Sequence, residues 1–298
     1  MRLGVITRVG MAAVGAVLTA GSASAQSWSA APTPGTAGNG AYWNNKSADN
    51  ATSADVCNIG AVLMGFSQNS NCNAEVPSGL LPLSSTQALS GSGVRGAFLA
   101  GANGNAPAGF MMVGGMYRFD LYGKIAGAAI KSGGTNPRIG YFTFNSFGQR
   151  ILTELTLAPG ASATFQTGGS PVGFWVAATS PTASAGNVWA YFSDMGRCQV
   201  NAISLAGCGA GSAASQQFAL FAASTVGAPS ITGGVVNAPI QSRYWLGVED
   251  VSTVPGAASD NDYNDVVASF TSLPEPASFA LLGTGLLGVF AVGRRRRK

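Results

Sequence analysis

Five of the chain's twelve acidic residues fall between Glu249 and Asp265. They are Glu249, Asp250, Asp260, Asp262 and Asp265, and Asn264 stands among the last three. Carboxylates gathered this densely repel one another, and a bound cation turns that repulsion into stability. Every donor on offer is a hard oxygen, so the cation expected is Ca²⁺, which takes six to eight oxygens in flexible geometry, rather than Mg²⁺. Asp260, Asp262 and Asn264 match the first three ligand positions of an EF-hand loop. The match then fails, because Asp265 stands where the turn glycine belongs and Thr271 where the bidentate glutamate belongs. The missing carboxylate must therefore come from Glu249 or Asp250. An acidic, solvated turn without metal is the plainer reading of the same residues.

Other chemistries are bounded by composition. The chain has 298 residues and no histidine, which removes Ser-His-Asp and Cys-His sites and every zinc site that needs His. A glycosidase needs two carboxylates at a defined separation; Glu75, Glu154, Glu249 and several Asp could in principle serve, but apart from the acidic cluster no pair of carboxylates stands out. Cys57, Cys72, Cys198 and Cys208 make an even set without a CxxC. In an oxidising compartment they form two disulfides. Four cysteines allow three pairings. Cys57–Cys72 with Cys198–Cys208 is preferred because each bridge closes a short local loop, and cross-pairing stays open. Tyr42-Trp43-Asn44-Asn45, Trp175, Trp189 and Trp245 suggest a sugar-stacking surface, although aromatics within β runs are usually core.

The elements that must position these residues read as β structure. Runs rich in aromatic and branched residues recur at 116–122, 139–144, 151–157, 172–177, 188–192, 218–222, 244–248 and 266–270, between Gly, Pro, Ser and Asn clusters. None sustains a helical stripe over three turns. The spacing predicts an all-β fold, a single β-sandwich or jelly-roll-like domain over residues 41–272. Residues 26–40, rich in Ser, Ala, Pro and Gly, are expected to be a flexible leader. If 244–248 and 266–270 pair antiparallel, the loop between them folds back and carries Glu249 and Asp250 to Asp260, Asp262 and Asp265.

Both ends carry processing signals. Arg2 and Arg8 flank the start of an uncharged run, Val9 to Ala20, and Ala23-Ser24-Ala25 completes a cleavage pattern before Gln26. Residues 1–25 thus read as a secretory signal peptide. At the other end Pro274-Glu275-Pro276 leads into an uncharged apolar segment, 277–292, closed by Arg294, Arg295, Arg296, Arg297 and Lys298. This is a short transmembrane helix with a basic cytoplasmic stop. Between the signals, nine basic residues face eleven acidic ones, a net charge of −2. The basic pI belongs to the ends, and no basic stripe supports nucleic-acid binding.

The order Pro-Glu-Pro, apolar helix, arginine cluster over residues 273–298 resembles the PEP-CTERM sorting signal. The resemblance implies a Gram-negative, often exopolysaccharide-producing source and a membrane peptidase of the exosortase type that cuts near Pro274–Pro276. Gly247-Val248-Glu249-Asp250 followed by Asp260-Asn261-Asp262-Tyr263-Asn264-Asp265 resembles the ED…DxDYND pattern of an uncharacterised bacterial extracellular β-domain. That likeness implies Ca²⁺ at Glu249, Asp250, Asp260, Asp262, Asn264 and Asp265, and no enzyme activity. The function expected is a non-catalytic, exported protein of the cell surface or extracellular matrix. Its precursor would be tethered to the inner membrane by the C-terminal helix, with exopolysaccharide as a further partner. The alternatives are a carbohydrate-binding module and an extracellular glycoside hydrolase.

Overall fold

The structure is a computed structural model. It describes residues 26–34, 41–44, 58–64, 96–101, 104–124, 138–177, 187–201, 212–213, 216–223, 225, 228–249 and 263–275. In chain order the elements are β1 (Ser27–Ala30), α1 (Ile59–Met64), β2 (Ala97–Ala100), β3 (Met111–Met112), β4 (Met116–Lys124), β5 (Arg138–Phe144) and β6 (Arg150–Glu154). There follow β7 (Ser162–Gln166), β8 (Gly173–Ala177), β9 (Asn187–Phe192), β10 (Gly196–Asn201), β11 (Ser212–Ala213) and β12 (Phe218–Ala222). The last are β13 (Ile231–Thr232), β14 (Val235–Val236), β15 (Arg243–Val248) and β16 (Val266–Leu273). The fold is mostly β, and each of the eight runs read as strands overlaps one.

Three sheets form. The largest has seven strands in the order β1-β2-β12-β15-β16-β4-β7, and all its pairs are antiparallel. The second has six, β11-β10-β9-β8-β5-β6, and a small third joins β13, β14 and β3. One hydrophobic cluster draws side chains from both large sheets: Leu99, Phe119, Phe165, Leu220, Tyr244 and Phe270 from the first, Ile139, Phe174 and Val176 from the second. Aromatic rings bridge them, Tyr141 stacked on Phe165 at 4.1 Å and Phe174 against Phe270 at 4.8 Å.

The central strands of the seven-stranded sheet are buried on both faces. Phe98, Phe221, Trp245 and Val267 point away from the shared core into a second cluster, with Trp43, Ile59, Val62 and Leu63. That is why β2, β12 and β15 read as nearly continuous apolar runs rather than as alternation. Helix α1 covers this outer face, and Asn58 caps it, its Oδ1 accepting the Ala61 N–H at 3.1 Å.

Two expectations need correction. Residues 27–30 are not a flexible leader: β1 pairs with β2 along its whole length, Trp28 stacks on Tyr244, and its Nε1 donates to the Pro229 carbonyl at 2.9 Å. Ladder hydrogen bonds and a partly buried, hydrogen-bonded indole outweigh the low β propensity of Ser-Trp-Ser-Ala, so the ordered unit starts before residue 41. The tryptophans proposed as a sugar platform are core, with Trp43, Trp175 and Trp245 all buried. Trp189 is half-buried and lies under the Arg197 guanidinium.

Candidate functional site

The expected pairing of β15 with β16 is present, in a register running from Arg243↔Thr271 to Gly247↔Val267. Past this ladder the two chains meet again in a tight corner. Val248 forms a parallel bridge with Asn264, so the chain reverses between Asn264 and the start of β16. The Glu249 N–H donates to the Gln217 carbonyl at 3.0 Å, keeping Glu249 in line with the strand. Its carboxylate then turns inward, and Oε2 accepts the Tyr263 N–H at 3.1 Å. Glu249 is only 3% exposed, Asn264 1% and Asp265 9%.

Tyr263 holds the corner. It sits at φ 57°, unusual for a bulky residue, and its ring packs edge-on against Tyr42 at 5.4 Å. Its hydroxyl donates to the Gln216 carbonyl at 3.0 Å. Burial pushes this phenol far above its ordinary range, and the Glu249 charge adds to the rise. Beneath it Gln216 is buried and its Nε2 donates to the Ala108 carbonyl at 2.5 Å. Ser193 continues the polar line: its Oγ donates to the Phe110 carbonyl at 2.9 Å and accepts the Phe174 N–H at 3.0 Å. Sequence reasoning missed Gln216, Gln217 and Ser193, polar residues at the ends of apolar runs whose types carry no signal of burial.

Of the six expected ligands, the structure thus brings Glu249, Asn264 and Asp265 to one corner. Asp250, Asp260 and Asp262 lie outside the described residues, and so does Asn261. Among the described residues no group of three or more His, Cys, Asp or Glu side chains is arranged to hold a metal. The donors that are present are two carboxylates and an amide, chemistry that suits a hard cation. Cys198 is buried on β10; Cys57, Cys72 and Cys208 lie outside the described residues.

At the opposite end of β16 the chain passes into its tail. Ser272 is held three ways: its N–H donates to the Ser242 carbonyl at 3.1 Å, its carbonyl accepts the Gln241 N–H at 2.8 Å, and its hydroxyl donates to the Pro239 carbonyl. Leu273 still pairs with Met116. Pro274, which has no N–H to extend a ladder, ends the strand, and Pro274 and Glu275 are half-buried. Residues 272–297 match the PEP-CTERM protein-sorting motif. The PEP-CTERM motif indicates an exported chain, carried through the envelope to the cell surface and processed by an exosortase, a membrane peptidase. Searches among curated proteins and among solved structures return no match.

The PEP-CTERM match begins at Ser272, inside β16, so the sorting tail overlaps the last strand. Pro276, the apolar run 277–292 and Arg294–Arg297 lie outside the described residues. Among the described residues no helix is long and apolar enough to cross a membrane. Ala23 and Ala25 of the expected signal cleavage site also lie outside them. Gln26, the first residue after that expected cut, is described, and its Nε2 donates to the Gly109 carbonyl at 2.5 Å.

Proposed function

We propose that this is a non-catalytic protein of the cell surface or extracellular matrix, associated with exopolysaccharide, whose β-sandwich is stiffened by Ca²⁺. The observation that carries the reading is the PEP-CTERM tail, which gives the chain its destination. The precursor is tethered to the inner membrane by residues 277–292 until an exosortase removes the tail. The absence of histidine from all 298 residues supports a scaffold over an enzyme. The aromatic contacts that join the two large sheets support the sandwich. Disulfides Cys57–Cys72 and Cys198–Cys208 brace it; Cys198 is not a free thiol.

The Ca²⁺ reading rests on the Glu249 corner. Two chain segments on either side of residues 250–262 converge there with the side chains of Glu249, Asn264 and Asp265 buried. Asp250, Asp260 and Asp262 flank those segments in the sequence and complete an oxygen set of the size Ca²⁺ takes. Thermal unfolding of the oxidised protein in EGTA and in millimolar Ca²⁺ tests it. A melting temperature that rises with Ca²⁺, and no longer rises in the Asp260→Ala/Asp262→Ala variant, is the expected result. A folded protein whose melting is indifferent to Ca²⁺ reduces the acidic segment to a solvated turn.

A further inference from the structure

Among the described residues three large apolar side chains are exposed: Phe147 at 85%, Ile240 at 63% and Ile151 at 50%. They are far apart in sequence, yet strand directions carry all three to one end of the molecule. β16 finishes there at Leu273. β4 is antiparallel to β16 and starts there, Met116 opposite Leu273, and β7 finishes there, Gln166 opposite Met116. The turn after β7 stays at this end, since the Thr167 N–H donates to the Gly115 carbonyl at 3.0 Å. Val172 then bridges to Met112, and β8 leaves from Gly173. Gly173 pairs with Phe142, so the hairpin between β5 and β6 projects past this end with Phe147 at its tip and Ile151 beside it. Ile240 belongs to the turn whose backbone is bonded to Ser272.

The Phe147 tip is built to hold its ring in the open. Asn145 Oδ1 accepts both the Phe147 and Gln149 N–H groups at 2.9 Å, and Gly148 supplies the left-handed residue at φ +73°. A fixed, solvent-facing phenylalanine with two isoleucines at the same end is apolar surface without an internal partner. The tail supplies the occupant. Only four peptide steps separate Leu273 from Ala277, the first residue of the apolar run, a reach of about 14 Å at full extension. The end that bears Phe147, Ile151 and Ile240 is therefore the end held nearest the bilayer.

We propose that this end of the domain is a lipid-contacting surface. While the tail holds the precursor, Phe147 and Ile240 enter the headgroup region and Ile151 lies at its edge. The contact fixes the orientation of the domain, with the Glu249 corner facing away from the membrane. The proposal rests on the tethered-precursor reading given above.

The test uses the oxidised full-length chain in vesicles of phosphatidylethanolamine and phosphatidylglycerol. An environment-sensitive fluorophore is placed at Phe147→Cys, Ile240→Cys or Ala158→Cys. Ala158 is exposed at the opposite end, next to Gly160, whose N–H donates to the Leu121 carbonyl at 2.8 Å. The expected result is a blue shift at 147 and 240 and a loss of emission with brominated lipids, with neither change at 158. Probes at 147 and 240 that stay as wet as the one at 158, on chains that float with the vesicles, overturn the lipid contact alone. So does a shift that grows with protein-to-lipid ratio and ignores brominated lipid, since it identifies a second copy as the occupant. Chains that do not float with vesicles overturn the tethering reading and the contact with it.

Discussion

Glu249 is the residue on which the acidic corner turns. Its carboxylate is buried, and it satisfies the N–H of a tyrosine held in a left-handed conformation. Glu249→Ala leaves that buried N–H without its acceptor, a loss of about 1–3 kcal/mol. The check is chemical denaturation in EGTA, where any metal contribution is absent. Tyr263→Phe removes the hydroxyl bonded to the Gln216 carbonyl and costs about 1–2 kcal/mol by the same argument. The tyrosines also set an alkaline limit. Burial pushes the Tyr244 phenol up to about 12. Burial drives Tyr117 and Tyr263 higher still. The unfolded chain releases these protons near pH 10 and the native protein does not, so the stability they contribute is complete below pH 10 and falls as the pH climbs toward 12. With the other tyrosines changed to Phe, phenolate absorbance of Tyr117, Tyr244 and Tyr263 and circular dichroism should change in one step; their ionisation well ahead of unfolding contradicts the burial.

At the scale of elements, the corner exists because three pieces approach closely over β15. A Cβ on Gly247 would stand 2.5 Å from Ile59 Cγ1 of α1 and 2.6 Å from the Tyr263 carbonyl oxygen. Gly247→Ala therefore pushes on the helix and on the turn at once, at a cost of about 1–3 kcal/mol, visible as a fall in melting temperature. A melting temperature at the native value means that α1 yields freely. The pairing of β15 with β16 was legible in the sequence because both runs are rich in aromatic and branched residues. The two-residue strands β3, β11, β13 and β14 were not legible, being too short to show a period. Helix α1 escaped for a related reason. All six of its residues are buried, so it has no polar face to set against an apolar one. β1 was hidden by composition, because Trp28 is the one residue in Ser-Trp-Ser-Ala that favours a strand. The acidic cluster pointed to Glu249, Asn264 and Asp265, which the structure brings to one corner, but not to the oxygen that Glu249 spends on a backbone N–H. That follows from the left-handed turn at Tyr263, a position where a sequence reader expects glycine or asparagine.

The molecule as a whole has two unlike ends. One gathers the Glu249 corner; the other gives rise to the sorting tail and displays Phe147, Ile151 and Ile240. Between them runs β16, the last strand in the sequence and yet an interior strand of its sheet, flanked by β15 and β4. β4 begins at Met116 and waits for a neighbour that is made more than a hundred residues later. A chain whose synthesis or export stops before Val266 has bare edges on both β4 and β15, and lacks Phe270 from the shared core. Such a fragment does not close its main sheet, and its exposed edges are open to pairing with other chains. Folding thus acts as a test of progress: the domain certifies, by being folded, that its chain was read and exported as far as β16.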